Sequence, residues 1–203
     1  MNISKNLSKR LLLIVVLATA VFLAAFYYFN SNSSDKSDPI AFNADTVVSN
    51  EQEDTLSGLP VRLRIPSINI DVAIEYVGLN PDGSMAIPKS TDEVGWFELG
   101  KRPGENGSAV IAGHYGLTKG KPSIFDNLYK LAKGDKLSIE DDKGAITAFV
   151  VRGQRSYDPE ADTSEIFSSD DGKAHLNLIT CEGVWNKDLK SYSKRLVVFA
   201  DKE

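Results

Sequence analysis

Short runs of alternating apolar and polar residues, separated by turn residues, make up the chain from about residue 59 to its end. Val61 to Ile65 and Ile68 to Val72 alternate with a period of two, which is typical of half-buried strands. Ser108 to His114 is a run of small and β-branched residues that indicates a core strand. Further strands are predicted at Lys136–Ile139, Ile146–Arg152, His175–Cys181 and Arg195–Asp201, with a turn at Glu182–Gly183.

Helical periodicity is confined to one segment of this region. Ile124 to Leu131 places apolar residues at 124, 125, 128 and 131, on one face, and so predicts a short helix. The polar segment from Tyr157 to Lys173 predicts irregular structure with one helical turn around Glu165–Phe167. About eight short strands and one or two short helices in about 145 residues predict a mainly β fold, a single closed β-barrel.

The N-terminal region has a different pattern. Residues 11–29 form a run of 19 residues without a charge, preceded by Lys5, Lys9 and Arg10. A span of about 20 apolar residues crosses a bilayer as a helix, and a basic flank favours the cytoplasmic side. We therefore predict a cytoplasmic N-terminus at residues 1–10 and a single-pass transmembrane anchor at 11–29. A cleaved signal peptide is the alternative, although the apolar run continues well past a small-residue site at Ala18–Ala20.

Composition divides the remainder into a tether and a domain. Residues 30–58 are rich in Ser, Asn and Asp and show no periodicity, which predicts a flexible extracellular tether. Residues 59–203 are then an extracellular globular domain. After the first ten positions the chain carries 20 basic residues against 28 acids, a net charge of −8. This balance argues against nucleic acid as the main partner.

Cys181 is the only cysteine in 203 residues. A domain outside the cytoplasm would permit a disulfide, but there is no second cysteine to form one within the chain. An unpaired cysteine in an exported protein suggests a reactive thiol. The alternative is a buried cysteine that packs as a small apolar side chain.

A thiol nucleophile needs a basic or cationic neighbour, and the chain has two histidines. His114 ends a core strand between Gly113 and Gly116, which would leave space for a substrate. His175 lies six positions before Cys181 on one strand, roughly 20 Å away and beyond proton transfer, so we predict a surface or structural role. Arg195 could stabilise an oxyanion near the thiol, or it could simply pair with an acid.

The order of these residues resembles the signature of the sortases. In this sequence it reads Ala112-Gly113-His114, then Leu178-Ile179-Thr180-Cys181, then Arg195. Asn177 is a departure, because many sortases have Thr at that position. The segment from Trp96 to His114 is most similar to class F. The resemblance runs from about Leu63 to the end and includes Arg64-Ile65-Pro66-Ser67-Ile68, Gly95-Trp96-Phe97, Pro103-Gly104-Glu105-Asn106-Gly107 and Gly134-Asp135.

The resemblance implies an eight-stranded sortase-like barrel and a cysteine transpeptidase of the Gram-positive cell surface. In that reading Cys181 attacks the Thr–Gly bond of a Leu-Pro-x-Thr-Gly-like sorting signal, His114 transfers protons, Arg195 stabilises the intermediate and Thr180 lines the site. The implied partners are sorting signals of secreted proteins and an amine of the cell wall, in lipid II or a peptidoglycan cross-bridge. Two alternatives stay open: a surface cysteine peptidase that uses water, and a non-catalytic membrane-anchored binding module.

Two acidic clusters could supply oxygen ligands to a calcium ion. They are Glu140-Asp141-Asp142 and Asp170-Asp171, and each lies close to a glycine in a turn-forming segment. Solvated turns explain such clusters without a ligand. We therefore predict no metal and no other cofactor.

Overall fold

The structure, a computed structural model, describes residues 57–203. Within this part of the chain it contains one short α-helix, α1 (Ser164–Phe167), and 3-10 turns at Pro66–Ile68 and Leu128–Lys130. The strands are β1 Pro60–Ile65, β2 Ile70–Val77, β3 Val94–Phe97, β4 Gly107–Gly113, β5 Leu117–Thr118, β6 Lys121–Pro122, β7 Lys136–Asp141, β8 Ile146–Tyr157, β9 Ala174–Asn186 and β10 Ser191–Lys202.

Eight of these strands close into a barrel in the order β1-β2-β3-β4-β9-β10-β8-β7. The pairs β2–β3 and β4–β9 are parallel, and the other neighbours are antiparallel. Strands β5 and β6 form a separate hairpin between β4 and β7. The predicted eight-stranded, mainly β barrel is therefore confirmed.

Alternation along the strands explains which side chains fill the barrel. On β1, Leu63 and Ile65 are fully buried, while Arg62 and Arg64 point outward and pair with Asp71 of β2. Because successive strand residues face opposite sides, one strand supplies both core and surface. The same rule gives the interior its Leu, Ile, Val and Phe side chains from every barrel strand.

A second apolar cluster lies on the outer face of β4 and β10, where α1 covers the sheet. It contains Val110, Tyr157, Ile166, Val197 and Phe199. The amide of buried Asn177, at the position where many sortases have Thr, donates a 2.6 Å hydrogen bond to the Ile166 carbonyl. This bond fastens the short helix to β9.

Most of the predicted strands are present, but the predicted helix at Ile124–Leu131 is wrong. The segment is a series of turns that ends in a 3-10 turn at Leu128–Lys130, with N–H groups bonding the carbonyl three residues back. Its apolar side chains are buried as the pattern indicated, since Phe125, Leu128 and Leu131 enter the core. A segment this short satisfies the same packing with 3-10 bonds as with α-helical bonds. The helical turn predicted around Glu165–Phe167 is confirmed as α1.

The second correction concerns the strand that carries Cys181. The predicted turn at Glu182–Gly183 is absent, and β9 continues to Asn186. Gly183 and Val184 together oppose Ser193 of β10, and Gly183 has a φ of 86°. This is a β-bulge, which uses glycine in the same left-handed conformation that a turn would.

None of the helices within residues 57–203 is long and apolar enough to cross a membrane. The segments predicted as cytoplasmic N-terminus (1–10), anchor (11–29) and almost all of the tether (30–58) lie outside the described residues.

Candidate active site

Cys181 lies in the middle of the long β9–β10 hairpin, and Arg195 is its direct cross-strand partner. Directly opposed residues of an antiparallel pair project to the same face, with Cβ atoms about 5 Å apart. The face is the outer one, because Thr180 and Leu196 alternate with them and face the interior side. Cys181 is half-buried, so the thiol is held firmly and is still reachable.

The Arg195 guanidinium is fixed by its own hairpin. Nη1 donates to the carbonyls of Tyr192 and Lys194, at 3.0 and 2.9 Å, and Nη2 donates to the Ser191 hydroxyl at 3.0 Å. Within the described residues these bonds use three of the five N–H groups of a guanidinium. One Nη2 hydrogen and the Nε hydrogen remain for an incoming acceptor such as a carbonyl oxygen.

Two opposing effects act on the Cys181 thiol. Burial raises its pKa, and the positive charge of Arg195 lowers it, with a net pKa above the ordinary value. The thiol is therefore mostly protonated at neutral pH in this conformation. Nucleophilic attack needs a base that takes the proton.

A groove of about 510 Å³ opens at the thiol. Cys181 and Arg195 lie at one end, and the walls are mainly apolar, with Ile179 and Val197 as its floor on the same strands. The remaining walls come from α1, β3, β4 and the segment between β2 and β3, and include Leu79, Met85, Ile87, Phe97, Ala112, Ile166 and Phe167. The groove therefore offers a mainly apolar surface next to the thiol.

His114 follows directly after β4, and Gly113 before it lines the groove. The Nε2 atom of His114 lies 2.8 Å from the Pro88 carbonyl oxygen, so in this conformation that nitrogen donates a hydrogen bond to it. Pro88 follows Ile87 in the loop that forms one groove wall. Among the described residues, the imidazole lines neither of the cavities that contain Cys181. The structure thus places His114 beside the groove wall.

Thr180 is buried and ties the two parts of the site together. Its hydroxyl donates a 2.8 Å hydrogen bond to the Gly113 carbonyl. This bond continues the β4–β9 pairing, which ends at Ala112 and Ile179. Thr180 also lines both cavities at Cys181, the groove and a smaller one of about 200 Å³ beside Tyr115 and Tyr129.

The sequence model of the family described as "Sortase domain" matches residues 63–203. The chain belongs to the sortase family. Sortases are cysteine transpeptidases, and the resemblance carried by the His, Thr-Cys and Arg motifs is thereby confirmed at the level of the family. No curated protein matches the sequence.

Solved sortase structures share the fold of this sortase domain. A lid mutant of sortase A from Corynebacterium diphtheriae is 24% identical, with a TM-score of 0.56 over 71% of this chain and 70% of that chain. Sortase C1 from Streptococcus agalactiae is 27% identical, with a TM-score of 0.55 over 70% of this chain and 66% of that one. Sortase C-1 from Actinomyces oris is also 27% identical, with a TM-score of 0.53 and coverages of 71% and 74%.

His175 has a structural position in this sortase. It is buried, Nδ1 lies 2.7 Å from Asp201 and Nε2 lies 2.9 Å from Asp171. These contacts join the start of β9 to the end of β10. They agree with the structural role predicted from its distance along the strand.

The acidic clusters serve turns in the part of the chain that the structure describes. Asp141 accepts hydrogen bonds from the backbone N–H groups of Gly58, Lys143 and Ala145, and Asp142 accepts one from Leu59. No group of three or more His, Cys, Asp or Glu side chains within residues 57–203 is arranged to hold a metal ion. Bonds within the turn and to the segment before β1 thus occupy Asp141 and Asp142, while Glu140 pairs with Arg64 and Asp171 with His175.

Sequence reasoning missed Tyr192. Its ring packs edge-to-face on Tyr115 and on Trp185, with centroids 5.2 and 5.1 Å away. Burial raises the pKa of its hydroxyl, and the nearby Cys181, Tyr115 and Asp126 raise it further. Its place depends on how the β9–β10 hairpin folds back over the loop after β4, which no local pattern encodes.

Proposed function

We propose that this domain is an active cysteine transpeptidase that cleaves a Leu-Pro-x-Thr-Gly-like sorting signal between Thr and Gly. The observation that carries the proposal is the Cys181–Arg195 pair at the end of an apolar groove of about 510 Å³. The groove has the volume and the apolar lining that Leu and Pro side chains of a peptide need. Family membership supplies the reaction type.

In the first half-reaction, His114 takes the proton of the Cys181 thiol, and the sulfur bonds to the carbonyl carbon of the substrate Thr. The carbonyl oxygen becomes an oxyanion, and the free N–H groups of Arg195 stabilise it. The C–N bond to Gly then breaks, and His114 gives a proton to the leaving amine. The product is a thioester on Cys181 and a free peptide that begins with Gly.

In the second half-reaction, an acceptor amine attacks the thioester carbon. His114 takes a proton from the amine, the C–S bond breaks, and the new amide leaves. The same proton then passes from His114 to the Cys181 sulfur, which restores the thiol. For these proton transfers His114 must exchange its bond with the Pro88 carbonyl for the reacting groups. We propose that peptide in the groove moves the Pro88 loop and releases the imidazole.

The biological setting is part of the proposal. We propose a single-pass protein of the cell membrane of a Gram-positive bacterium, with residues 1–10 cytoplasmic, 11–29 spanning and the catalytic domain extracellular. The acceptor would be a cell-wall amine, in lipid II or a peptidoglycan cross-bridge, and we propose class F for the enzyme. Labelling of Cys181 in intact cells by a membrane-impermeant thiosulfonate reagent tests the location. Phylogenetic placement among sortases of known class tests the subclass.

The activity is tested by incubating the full chain with a Leu-Pro-x-Thr-Gly peptide, with and without triglycine, and by measuring products and the intact protein mass. We expect an acyl-enzyme on Cys181, and a transfer product that increases with triglycine. Cys181→Ala should form neither, and a peptide of scrambled sequence is the control. Hydrolysis that ignores added amine would indicate a peptidase, and no reaction with a folded protein would indicate a binding module. Either result contradicts the proposal.

A further inference from the structure

Two hairpins beyond the thiol expose four large apolar side chains. We define the hairpin edge as Leu117–Lys121, from the β5–β6 hairpin, together with Val184–Lys194, from the β9–β10 hairpin. Leu117, Val184 and Leu189 are 72%, 76% and 75% exposed, and Trp185 is 48% exposed. None of these four side chains lines the groove at Cys181. Exposed apolar groups that cluster mark an interaction surface.

Aromatic contacts join the two hairpins into one surface. Tyr192 packs between Tyr115, which precedes β5, and Trp185 of β9. Gly116 lies so close to the Tyr192 hydroxyl that a Cβ atom built on it would be 2.2 Å away. The start of the β5–β6 hairpin therefore lies against the β9–β10 hairpin.

The hairpin edge is basic in a domain that is acidic. Residues 57–203 contain 19 Lys and Arg against 22 Asp and Glu, yet the edge carries five lysines and a single acid, Asp188. Among the described residues, no carboxylate lies within 4.0 Å of any of these five ammonium groups. Their charge is available to an outside partner. The lysines are Lys119, Lys121, Lys187, Lys190 and Lys194.

From this geometry we propose that the hairpin edge docks onto the surface of a bilayer that contains anionic lipids. Exposed Leu, Val and Trp side chains enter the interface of a bilayer, while lysines around them attract anionic headgroups. Trp and Tyr prefer that interface because their rings are amphipathic. An acidic protein would match the lysines, but it would not need three aliphatic side chains that project into solvent. The anchor predicted at residues 11–29 is a further reason to choose a bilayer.

Docking would orient the catalytic groove. Cys181 precedes Val184 by only three residues on the same strand, so the thiol end of the groove would face the bilayer. An amine acceptor carried on a lipid would then reach the thioester from the surface on which it diffuses. The docking itself requires no catalytic activity, and so it stands or falls independently of the proposed function.

The chain contains its own reporter. It has two tryptophans, and Trp96 is only 2% exposed inside the barrel, whereas Trp185 lies in the hairpin edge. The full-length chain is reconstituted into nanodiscs of phosphatidylcholine alone or with about one third phosphatidylglycerol, with and without brominated acyl chains. Quenching of tryptophan fluorescence by the brominated lipid measures insertion of Trp185.

We expect quenching in the anionic nanodiscs, little in neutral ones, and its loss at about 1 M salt, where the screening length falls to about 3 Å. Replacing Lys187, Lys190 and Lys194 by Gln should lower the docked-to-undocked ratio by about fivefold for each lysine, on the order of 100-fold in total. The matched control replaces Lys101, Lys173 and Lys202 by Gln. These lysines lie before β4, before β9 and at the end of β10, at the strand ends away from the hairpin edge, and their replacement should leave quenching unchanged. Leu189→Ser should also weaken it, and an unchanged urea unfolding midpoint shows that each variant is folded.

Three results would overturn the proposal: no quenching in anionic nanodiscs, equal quenching in neutral and anionic nanodiscs, or an equal loss in both triple variants. Binding of the hairpin edge to an acidic polypeptide without bromolipid quenching would indicate a protein partner, and would also overturn it.

Discussion

Cys181 and Arg195 are paired residue for residue across β9 and β10. The ladder keeps one register from His175–Asp201 to Glu182–Lys194, and shifts only beyond that point, at the bulge. The pair is therefore positioned by backbone hydrogen bonds over several residues and does not depend on a flexible loop. This rigidity is what an oxyanion-stabilising group requires, because its donors must be in place before charge develops.

Replacing Arg195 by Gln should make Cys181 less reactive. The arginine lowers the thiol pKa against the larger effect of burial, so its loss should raise that pKa further. The pH profile of alkylation by a thiosulfonate reagent should move to higher pH, and the rate at pH 8 should fall. Peptide acylation should fall by about 100-fold or more, which is the usual effect of losing an oxyanion donor. Arg152→Gln, an exposed arginine paired with Asp201, is the control. An unchanged profile would show that the charge of Arg195 does not reach the thiol.

His114→Ala should separate proton transfer from thiol acidity. Because Nε2 of His114 is bonded to the Pro88 carbonyl, the imidazole is not expected to set the thiol pKa of the free enzyme. The pH profile of Cys181 alkylation should be the same in the variant, while transfer of peptide to triglycine should fall by about 100-fold or more. A large shift in the alkylation profile would mean that His114 and Cys181 interact in the resting enzyme as well.

Thr180→Val should destabilise the domain by about 1–2 kcal/mol, because the half-buried Gly113 carbonyl loses its donor while the shape is kept. Thr180→Ser keeps the hydroxyl and loses one methyl group, which costs about 0.8 kcal/mol. Urea unfolding measures both. If Val is no worse than Ser in stability but raises the KM for peptide, the threonine acts on substrate and not on the fold.

Gly113→Ala should destabilise the fold because the added methyl group has no room. A Cβ atom at this position would lie 2.4 Å from the ring of Phe125, which is fully buried and cannot move aside. Overpacking of a core typically costs about 1–3 kcal/mol. Phe125→Leu alone should be destabilising, because it leaves a cavity. In the Gly113→Ala, Phe125→Leu double variant, however, the smaller side chain should relieve part of the destabilisation that Gly113→Ala causes. Strictly additive unfolding free energies in this double-mutant cycle would exclude the clash.

Local patterns indicated a closed barrel and seven of its eight strands, but neither β3 nor the details around the site. The two-residue period of Val61–Ile65 reappears as β1, and the order of His114, Cys181 and Arg195 identified the family. The strand at Val94–Phe97 was missed because four residues are too few for a period, and its pairing partners lie far away in the chain. The same holds for the bond from His114 to Pro88, which joins residues 26 positions apart in the chain. Contacts that form only through tertiary packing cannot be recognised from the local spacing of apolar and polar residues in either segment.

The contact between His175 and Asp171 should make the stability of the domain depend on pH. The hydrogen bond from His175, with others from the Lys173 N–H and Ser169, lowers the pKa of Asp171 from 3.8 to about 2. A carboxyl group whose pKa is lower in the folded state contributes stability above its unfolded pKa, and that contribution is lost as the pH falls through the folded value. Asp171→Asn should therefore unfold at a lower urea concentration than the wild type at pH 6, and the difference should shrink between about pH 4 and pH 2. Asp170→Asn changes the neighbouring exposed acid and is the control for net charge. If both variants show the same pH dependence, the effect comes from overall charge, and the buried histidine does not hold Asp171 in its ionised form.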